Sequence, residues 1–209
     1  MVSIKTLNSH TSRVLCLGVL QDGTLVSGSE DKTILLWNTK TGETIKSLTG
    51  HTGSVSTLLV LQDGTLVSGS SDKTIRIWNI TTGVTIKTLS GHTHKVLSLA
   101  VLQDGTLVSC SDDTTIRLWN ITTGVTIKSL TGHTGSVFSL VVLQDGSLVS
   151  GSSDKTIRIW NITTGETINN LIGHSKKISS LAVLKDGTLV SGSHDETILL
   201  WNTTTSETI

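Results

Sequence analysis

Three regularities predict an all-β chain folded as a β-propeller of five four-stranded antiparallel blades. Trp37, Trp78, Trp119, Trp160 and Trp201 stand 41 residues apart. The pairs Gly50-His51, Gly91-His92, Gly132-His133 and Gly173-His174 place a histidine 27 residues before a tryptophan, and Ser9-His10 does the same in the first copy. The dipeptide Asp-Gly recurs at Asp22-Gly23, Asp63-Gly64, Asp104-Gly105, Asp145-Gly146 and Asp186-Gly187. A repeat of about 40–45 residues with a Gly-His pair and a Trp-bearing strand is the signature of a propeller blade, a unit that buries its faces only by stacking against neighbours.

Within the second copy the segments 55–61, 65–70, 74–80 and 85–89 have β character and are separated by turn residues. The first is apolar on both sides, as a strand sandwiched between neighbouring sheets requires. Asp63-Gly64 turns it into the second segment, because glycine accepts the positive φ that tight hairpins demand. The sequence "SSDKT" makes the next turn and "TTG" the third, both rich in side chains that satisfy turn backbone. The fourth segment, "TIKTL", is half polar and is expected to face outward. Each copy thus reads as an antiparallel meander. The repeats run 10–50, 51–91, 92–132, 133–173 and 174–209 in one domain spanning 1–209, with residues 1–9 expected to supply the outer strand of the last blade.

The 209 residues carry 16 basic and 16 acidic side chains and only six aromatics, which disfavours nucleic acid as a partner. No apolar run approaches the roughly 18–20 residues that span a bilayer, and "MVSIKTLNSH" lacks the apolar core of a signal peptide. The expectation is a soluble, cytoplasmic protein with no membrane partner, the nucleus being left open. Cys16 and Cys110 occupy different repeat positions, so a framework disulfide is not expected. The sequons at Asn79, Asn120, Asn161 and Asn202 read as turn composition.

These residues resemble the WD-repeat β-propeller family along essentially the whole chain. The family's usual Trp-Asp is Trp-Asn here, at Asn38, Asn79, Asn120, Asn161 and Asn202, and the proline common before its Asp-Gly turn is absent. The resemblance implies a buried hydrogen-bonded tetrad in every copy: His10, Ser27, Asp31 and Trp37; His51, Ser68, Asp72 and Trp78; His92, Ser109, Asp113 and Trp119; His133, Ser150, Asp154 and Trp160; His174, Ser191, Asp195 and Trp201. Indole N–H donates only, serine accepts and passes a proton on to histidine, and aspartate accepts from the other ring nitrogen. Ser, His and Asp also make up a hydrolase triad, but an active site is needed once and this trio occurs five times beside a tryptophan that would occupy the serine oxygen. No enzyme is expected, nor any cofactor. His92-Thr93-His94 could suggest a metal, but His92 is committed to its tetrad, so no metal site is expected.

Differences between the copies cluster. Third after each histidine come Arg13, Ser54, Lys95, Ser136 and Lys177; fifth come Leu15, Ser56, Leu97, Phe138 and Ser179; just before each tetrad aspartate come Glu30, Ser71, Asp112, Ser153 and His194. The family resemblance implies that these positions line the rim of a central channel on one face, which commonly grips a peptide. Drift where packing is loose is the plain alternative. With Arg13, Lys95, Lys176 and Lys177 outnumbering Glu30 and Asp112, an acidic or phosphorylated protein or peptide is the favoured partner.

The leading functional expectation is a non-catalytic interaction scaffold. The alternative is a substrate-recognition subunit of a larger enzyme complex such as a ubiquitin ligase. Family members that dock to a ligase adaptor often carry Arg three residues after the Trp, where this chain has Lys40, Thr81, Thr122, Thr163 and Thr204. Five units of 41 residues would need about 72° of turn each to close a ring, with residues 2–7 completing the blade built from 178–203. An open arc would leave end blades free to self-associate.

Overall fold

A computed structural model describes residues 5–203, 205 and 207–208 and shows five four-stranded antiparallel sheets, each a meander of neighbours in sequence. The first comprises β1 (Val14–Val19), β2 (Leu25–Ser29), β3 (Ile34–Trp37) and β4 (Thr44–Leu48); the second β5 (Val55–Val60), β6 (Leu66–Ser70), β7 (Thr74–Trp78) and β8 (Thr85–Ser90). The third comprises β9 (Val96–Val101), β10 (Leu107–Ser111), β11 (Ile116–Trp119) and β12 (Thr126–Leu130). The fourth comprises β13 (Val137–Val142), β14 (Leu148–Ser152), β15 (Thr156–Trp160) and β16 (Thr167–Ile172), and the fifth β17 (Ile178–Val183), β18 (Leu189–Ser193), β19 (Ile198–Asn202) and β20 (Glu207–Thr208). The chain divides into two compact units, residues 1–91 with the first two sheets and residues 92–209 with the other three. Among the described residues no helix is long and apolar enough to cross a membrane.

Core packing follows from the sandwiched strands. In the first unit Val26, Ile34, Leu36 and Leu48 of the first sheet pack against Val55, Leu66 and Trp78 of the second. In the second unit Val108, Ile116, Leu118 and Leu130 meet Val137, Leu140, Leu148 and Trp160, and Val149, Ile157, Ile159 and Leu171 meet Ile178, Leu189 and Trp201. Burying one such aliphatic side chain contributes roughly 1.5–3 kcal/mol, so sheet-on-sheet contact is the main source of stability. Cys16 and Cys110 are free thiols in this packing. Although their repeat positions differ, both donate to the carbonyl that opens the next inner strand, Cys16 to Val55 at 3.6 Å and Cys110 to Val137 at 3.1 Å. Burial pushes the Cys16 thiol up to about 12 and raises Cys110 as well, which leaves both inert as nucleophiles.

The turns explain the repeated polar residues. At the first hairpin Gly23 N–H donates to Leu20 O at 2.9 Å and Gly23 has φ +84°, a four-residue turn closed by a left-handed glycine. After each tryptophan the asparagine acts as an acceptor: Asn79 Oδ1 takes Thr82 N–H at 2.9 Å, and Asn161 Oδ1 takes the N–H groups of Thr163 and Thr164. Only an acceptor oxygen is required there, so Asn serves where relatives carry Asp. The "SSDKT" turn holds a feature the sequence concealed, a left-handed residue with a side chain at Lys32, Lys73, Thr114, Lys155 and Glu196, with φ of 70–72°.

The fifth sheet ends differently. Its fourth strand, β20, is two residues long and pairs Glu207 with Asn202 and Thr208 with Trp201. Residues 5–10 form no strand, and of the N-terminal segment expected to complete that blade, residues 1–4 lie outside the described residues.

The strained turn yields a prediction. A β-branched residue at positive φ is the least tolerated case, so Thr114→Gly should stabilise the fold by about 0.5–1 kcal/mol, the left-handed penalty less the entropy cost of glycine. Urea unfolding checks this, with Lys73→Gly expected to gain less.

Candidate functional site

Two sets of residues recur in every blade, one buried and one at the surface. The buried set is the tetrad. In the second blade Trp78 Nε1–H donates to Ser68 Oγ at 2.8 Å, Ser68 Oγ lies 2.7 Å from His51 Nε2, and His51 Nδ1 lies 2.7 Å from Asp72 Oδ2. A carboxylate only accepts, so Nδ1 carries the proton and Nε2 accepts the serine hydroxyl. The other four copies repeat these distances within 0.1 Å, from His10 and Trp37 to His174 and Trp201. Each imidazole also meets its indole edge-on, with centroids 5.9–6.2 Å apart. Ser27, Ser68, Ser109, Ser150 and Ser191 are all buried.

Two further residues belong to this network and were missed in the sequence, although each recurs in all five copies. The threonine two after the aspartate, Thr74 in the second blade, gives both its N–H and its hydroxyl to Asp72 Oδ1, at 3.0 and 2.6 Å. The serine two before it, Ser70, accepts Asp72 N–H and donates to Gly53 O. Thr52 N–H completes the shell on Oδ2 at 2.9 Å. Burial alone would raise the Asp72 pKa, but bonds from His51, Thr74 and Thr52 outweigh it and hold the carboxyl well below the usual range. Asp31, Asp113, Asp154 and Asp195 are lowered in the same way.

One pair of substitutions around the tetrad is correlated. Arg76 and Arg158 lie 5.9 Å over the Trp78 and Trp160 rings and donate to Thr85 and Thr167, at 3.0 and 2.9 Å. A Cβ at Gly50 or Gly132 would come within 2.8 Å of the guanidinium, so glycine is needed there. In the first blade Leu35 replaces the arginine, and Ser9 takes the glycine position. Ser9 Oγ then accepts the hydroxyl of Thr44, the counterpart of Thr85, at 2.9 Å. That accounts for Ser-His in place of Gly-His.

The surface set is the three variable positions, and the structure joins them blade by blade. The residue before the aspartate donates its N–H to the carbonyl of the third residue after the histidine, from Glu30 to Arg13, Ser71 to Ser54, Asp112 to Lys95, Ser153 to Ser136 and His194 to Lys177. The fifth residue, Leu15, Ser56, Leu97, Phe138 or Ser179, sits at a bulge, because the register jumps across it in every inner strand. A bulge releases its side chain from the in-and-out alternation, so core packing does not fix its identity. Ser56 and Ser179 turn back to the carbonyls of Gly69 and Gly192, at 3.1 and 3.2 Å. Leu15 is exposed, while Leu97 and Phe138 are half-buried.

Charge is distributed less simply than the count of basic residues suggests. Arg13 makes a two-pronged pair with Glu30, at 2.6 and 2.9 Å, so this exposed guanidinium already has a carboxylate. In the second unit Lys177 Nζ lies 5.0 Å over the Phe138 ring, uniting one variable residue of the fourth blade with one of the fifth. His94 Nδ1 contacts the hydroxyl of Thr93, and among the described residues no group of three or more His, Cys, Asp and Glu is placed to hold a metal ion.

Four-stranded meanders of 41 residues, each carrying a His–Ser–Asp–Trp network, define the class as a β-propeller of WD type. The family model "WD domain, G-beta repeat" matches residues 1–38, 42–79, 83–120, 124–161 and 165–202, and the chain belongs to that family. It is similar to the WD40 β-propeller domain of Doa1, with 32% identity and a TM-score of 0.83 over 94% of this chain and 66% of that one. It is also 49% identical over 43 residues to the probable E3 ubiquitin ligase complex SCF subunit sconB of Emericella nidulans, a match that covers 21% of this chain and 6% of that protein.

Removing one tetrad carboxylate leaves a buried imidazole and two N–H groups without their acceptor, and Asp72→Ala should destabilise by about 1–3 kcal/mol, read by denaturant unfolding. The depressed carboxyls also set an acid limit. A group with a folded pKa below its unfolded value near 3.9 contributes its stability above that pH, and the contribution is lost as the pH falls through the folded value. Melting temperature should therefore drop steeply below about pH 4, and less steeply in Asp72→Ala.

Proposed function

We propose that this chain is a non-catalytic interaction scaffold that takes a protein or peptide on variable positions of its second unit, around Lys177 and Phe138. The observation that carries this reading is the bulge: five rigid sheets each present one side chain that the core does not constrain, and three of these are the apolar Leu15, Leu97 and Phe138. Binding residues concentrate where a rigid scaffold holds a locally free position, and apolar anchors ringed by polar groups are the usual source of affinity. The buried tetrad serines support the absence of catalysis, since a nucleophile must reach a substrate carbonyl and these oxygens lie beneath an indole N–H.

With Arg13 held by Glu30, the basic excess on the face comes from Lys95, Lys176 and Lys177 in the second unit. This supports an acidic or phosphorylated segment as the ligand, seated by Lys177 and Phe138. The free thiols of Cys16 and Cys110 suit a reducing, cytoplasmic compartment. The likeness to a ligase-complex subunit spans about one repeat and supports no reading beyond that of the family.

Capture from lysate followed by mass spectrometry, with wild type beside variants, tests the site. Phe138→Ala and Lys177→Glu should each weaken capture about tenfold or more with melting temperature unchanged. Ile86→Ser, on an outer strand, should leave it intact. Loss in the Ile86 variant alone would move the site to the outer edge.

A further inference from the structure

Within each unit the blade boundaries are built from two unlike faces. A trailing face, formed in the first sheet by Leu20, Val26, Ile34 and Leu36, receives a leading face, formed in the second by Val55, Leu58, Val60 and Trp78. The fourth and fifth sheets repeat the arrangement. The first sheet has a leading face of the same composition, yet there Val14 is 50% exposed, Leu17 63% and Val19 61%, whereas Val55 and Ile178 at the position of Val14 are buried. The fifth sheet has a trailing face on which Ile198 is 69% exposed and Leu200 39%, whereas Ile34 and Leu36 are buried. Residues 197–203, "TILLWNT", are letter for letter residues 33–39.

We propose that these two faces bind each other between copies of this chain, head to tail, and so repeat the internal blade boundary across a heterologous interface. Three details specify the fit. Gln21, Gln103 and Gln144 each donate to a main-chain carbonyl on the next sheet, at Gln62, Gln144 and Lys185. The fifth sheet has Lys185 at the donor position and the first sheet has the carbonyl of Gln21 at the acceptor position, so the ammonium of one copy replaces the amide. Second, β20 covers only Trp201 and Asn202, whereas β4 covers its neighbour as far as Ile34. By the register of the first sheet, Lys5, Thr6 and Leu7 of a second copy fall opposite Leu200, Leu199 and Ile198. Third, Leu7 already sits where such a strand would lie: its Cδ2 is 3.7 Å from a Cβ built at Gly42, as Leu48 Cδ2 is 3.6 Å from one built at Gly83 and Leu130 Cδ2 3.5 Å from one at Gly165. The occupant is a second copy because both faces are open in the same molecule, and each matches the chemistry of the other.

Sedimentation velocity of the full chain tests this with two variants, Leu17→Asp/Val19→Asp to block the leading face and Ile198→Asp/Leu200→Asp to block the trailing face. The altered side chains are exposed, so circular dichroism and melting should show folded proteins. Wild type should sediment heavier than its 22.1 kDa mass, increasingly so with concentration. Each variant alone should be monomeric, and an equal mixture of the two should form a one-to-one dimer and nothing larger. Lys185→Ala should weaken association without abolishing it. A monomeric wild type with both variants melting earlier would mean that the faces close within one chain. A monomeric wild type whose melting neither variant changes would mean that they serve another protein. A dimer of either variant alone would mean a symmetric contact. Each of these three results overturns the proposal.

Discussion

The sheet here is apolar on both faces, and a sheet of that kind cannot be stable alone. Strand β6 is buried along its whole length, whereas outermost strands such as β8 alternate between exposed positions and half-buried or buried ones. Stability therefore resides between sheets, and each blade must present two complementary surfaces. The requirement explains why the inner-strand residues Val55, Val137 and Ile178 are β-branched and fully buried: they are the knobs set into the preceding sheet. It also explains why a glycine follows the tetrad serine. A Cβ at Gly28 would fall 2.7 Å from Val55, and at Gly151 2.7 Å from Ile178. Cys110 is the exception in this series, and its thiol donates to the Val137 carbonyl of the following sheet.

Such packing buries an indole N–H, an imidazole and a hydroxyl in each blade, and the tetrad is how those groups are satisfied. Its polarity runs one way, from the tryptophan on the third strand through the second strand to the carboxylate at the turn. The carboxylate is the common acceptor for the ring, two main-chain N–H groups and a threonine hydroxyl. Because one aspartate fixes both the turn conformation and the histidine, the left-handed residue beside it is retained even when that residue is Thr114, a poor choice for the backbone. Local strain is accepted where a buried network requires the geometry.

Strand order, the antiparallel meander and all five tetrads were legible in the sequence because each rests on a residue type that repeats every 41 positions. The bulge was not legible. Leu15, Ser56, Leu97, Phe138 and Ser179 stood out only as unlike one another, and it takes the register to show that each sits at a bulge in its inner strand. The Arg13–Glu30 pair was hidden for a similar reason, since seventeen residues separate two side chains that a hairpin brings to 2.6 Å. Lys46 lies on the outer strand β4, yet its ammonium donates to the Thr81 carbonyl of the next sheet. Contacts between sheets leave no periodic trace that distinguishes them from surface polarity.

The exchange of Gly50 and Arg76 for Ser9 and Leu35 shows how such near-identical repeats can diverge. An arginine packed on the indole excludes a side chain at the glycine, and removing that arginine both frees the space and orphans the threonine hydroxyl it had satisfied. A serine at the freed position meets both consequences at once. Gly173 shows that the first step can occur without the second: Leu199 replaces the arginine there, yet a Cβ on Gly173 would still meet the Trp201 ring at 2.9 Å. Change beside the tetrad is thus coupled where the freed space admits a side chain, as at Ser9, and stays single where the indole still fills it, as at Gly173. A scaffold of this kind can vary its bulge positions one residue at a time, while a change beside the tetrad is limited by the room its neighbours leave.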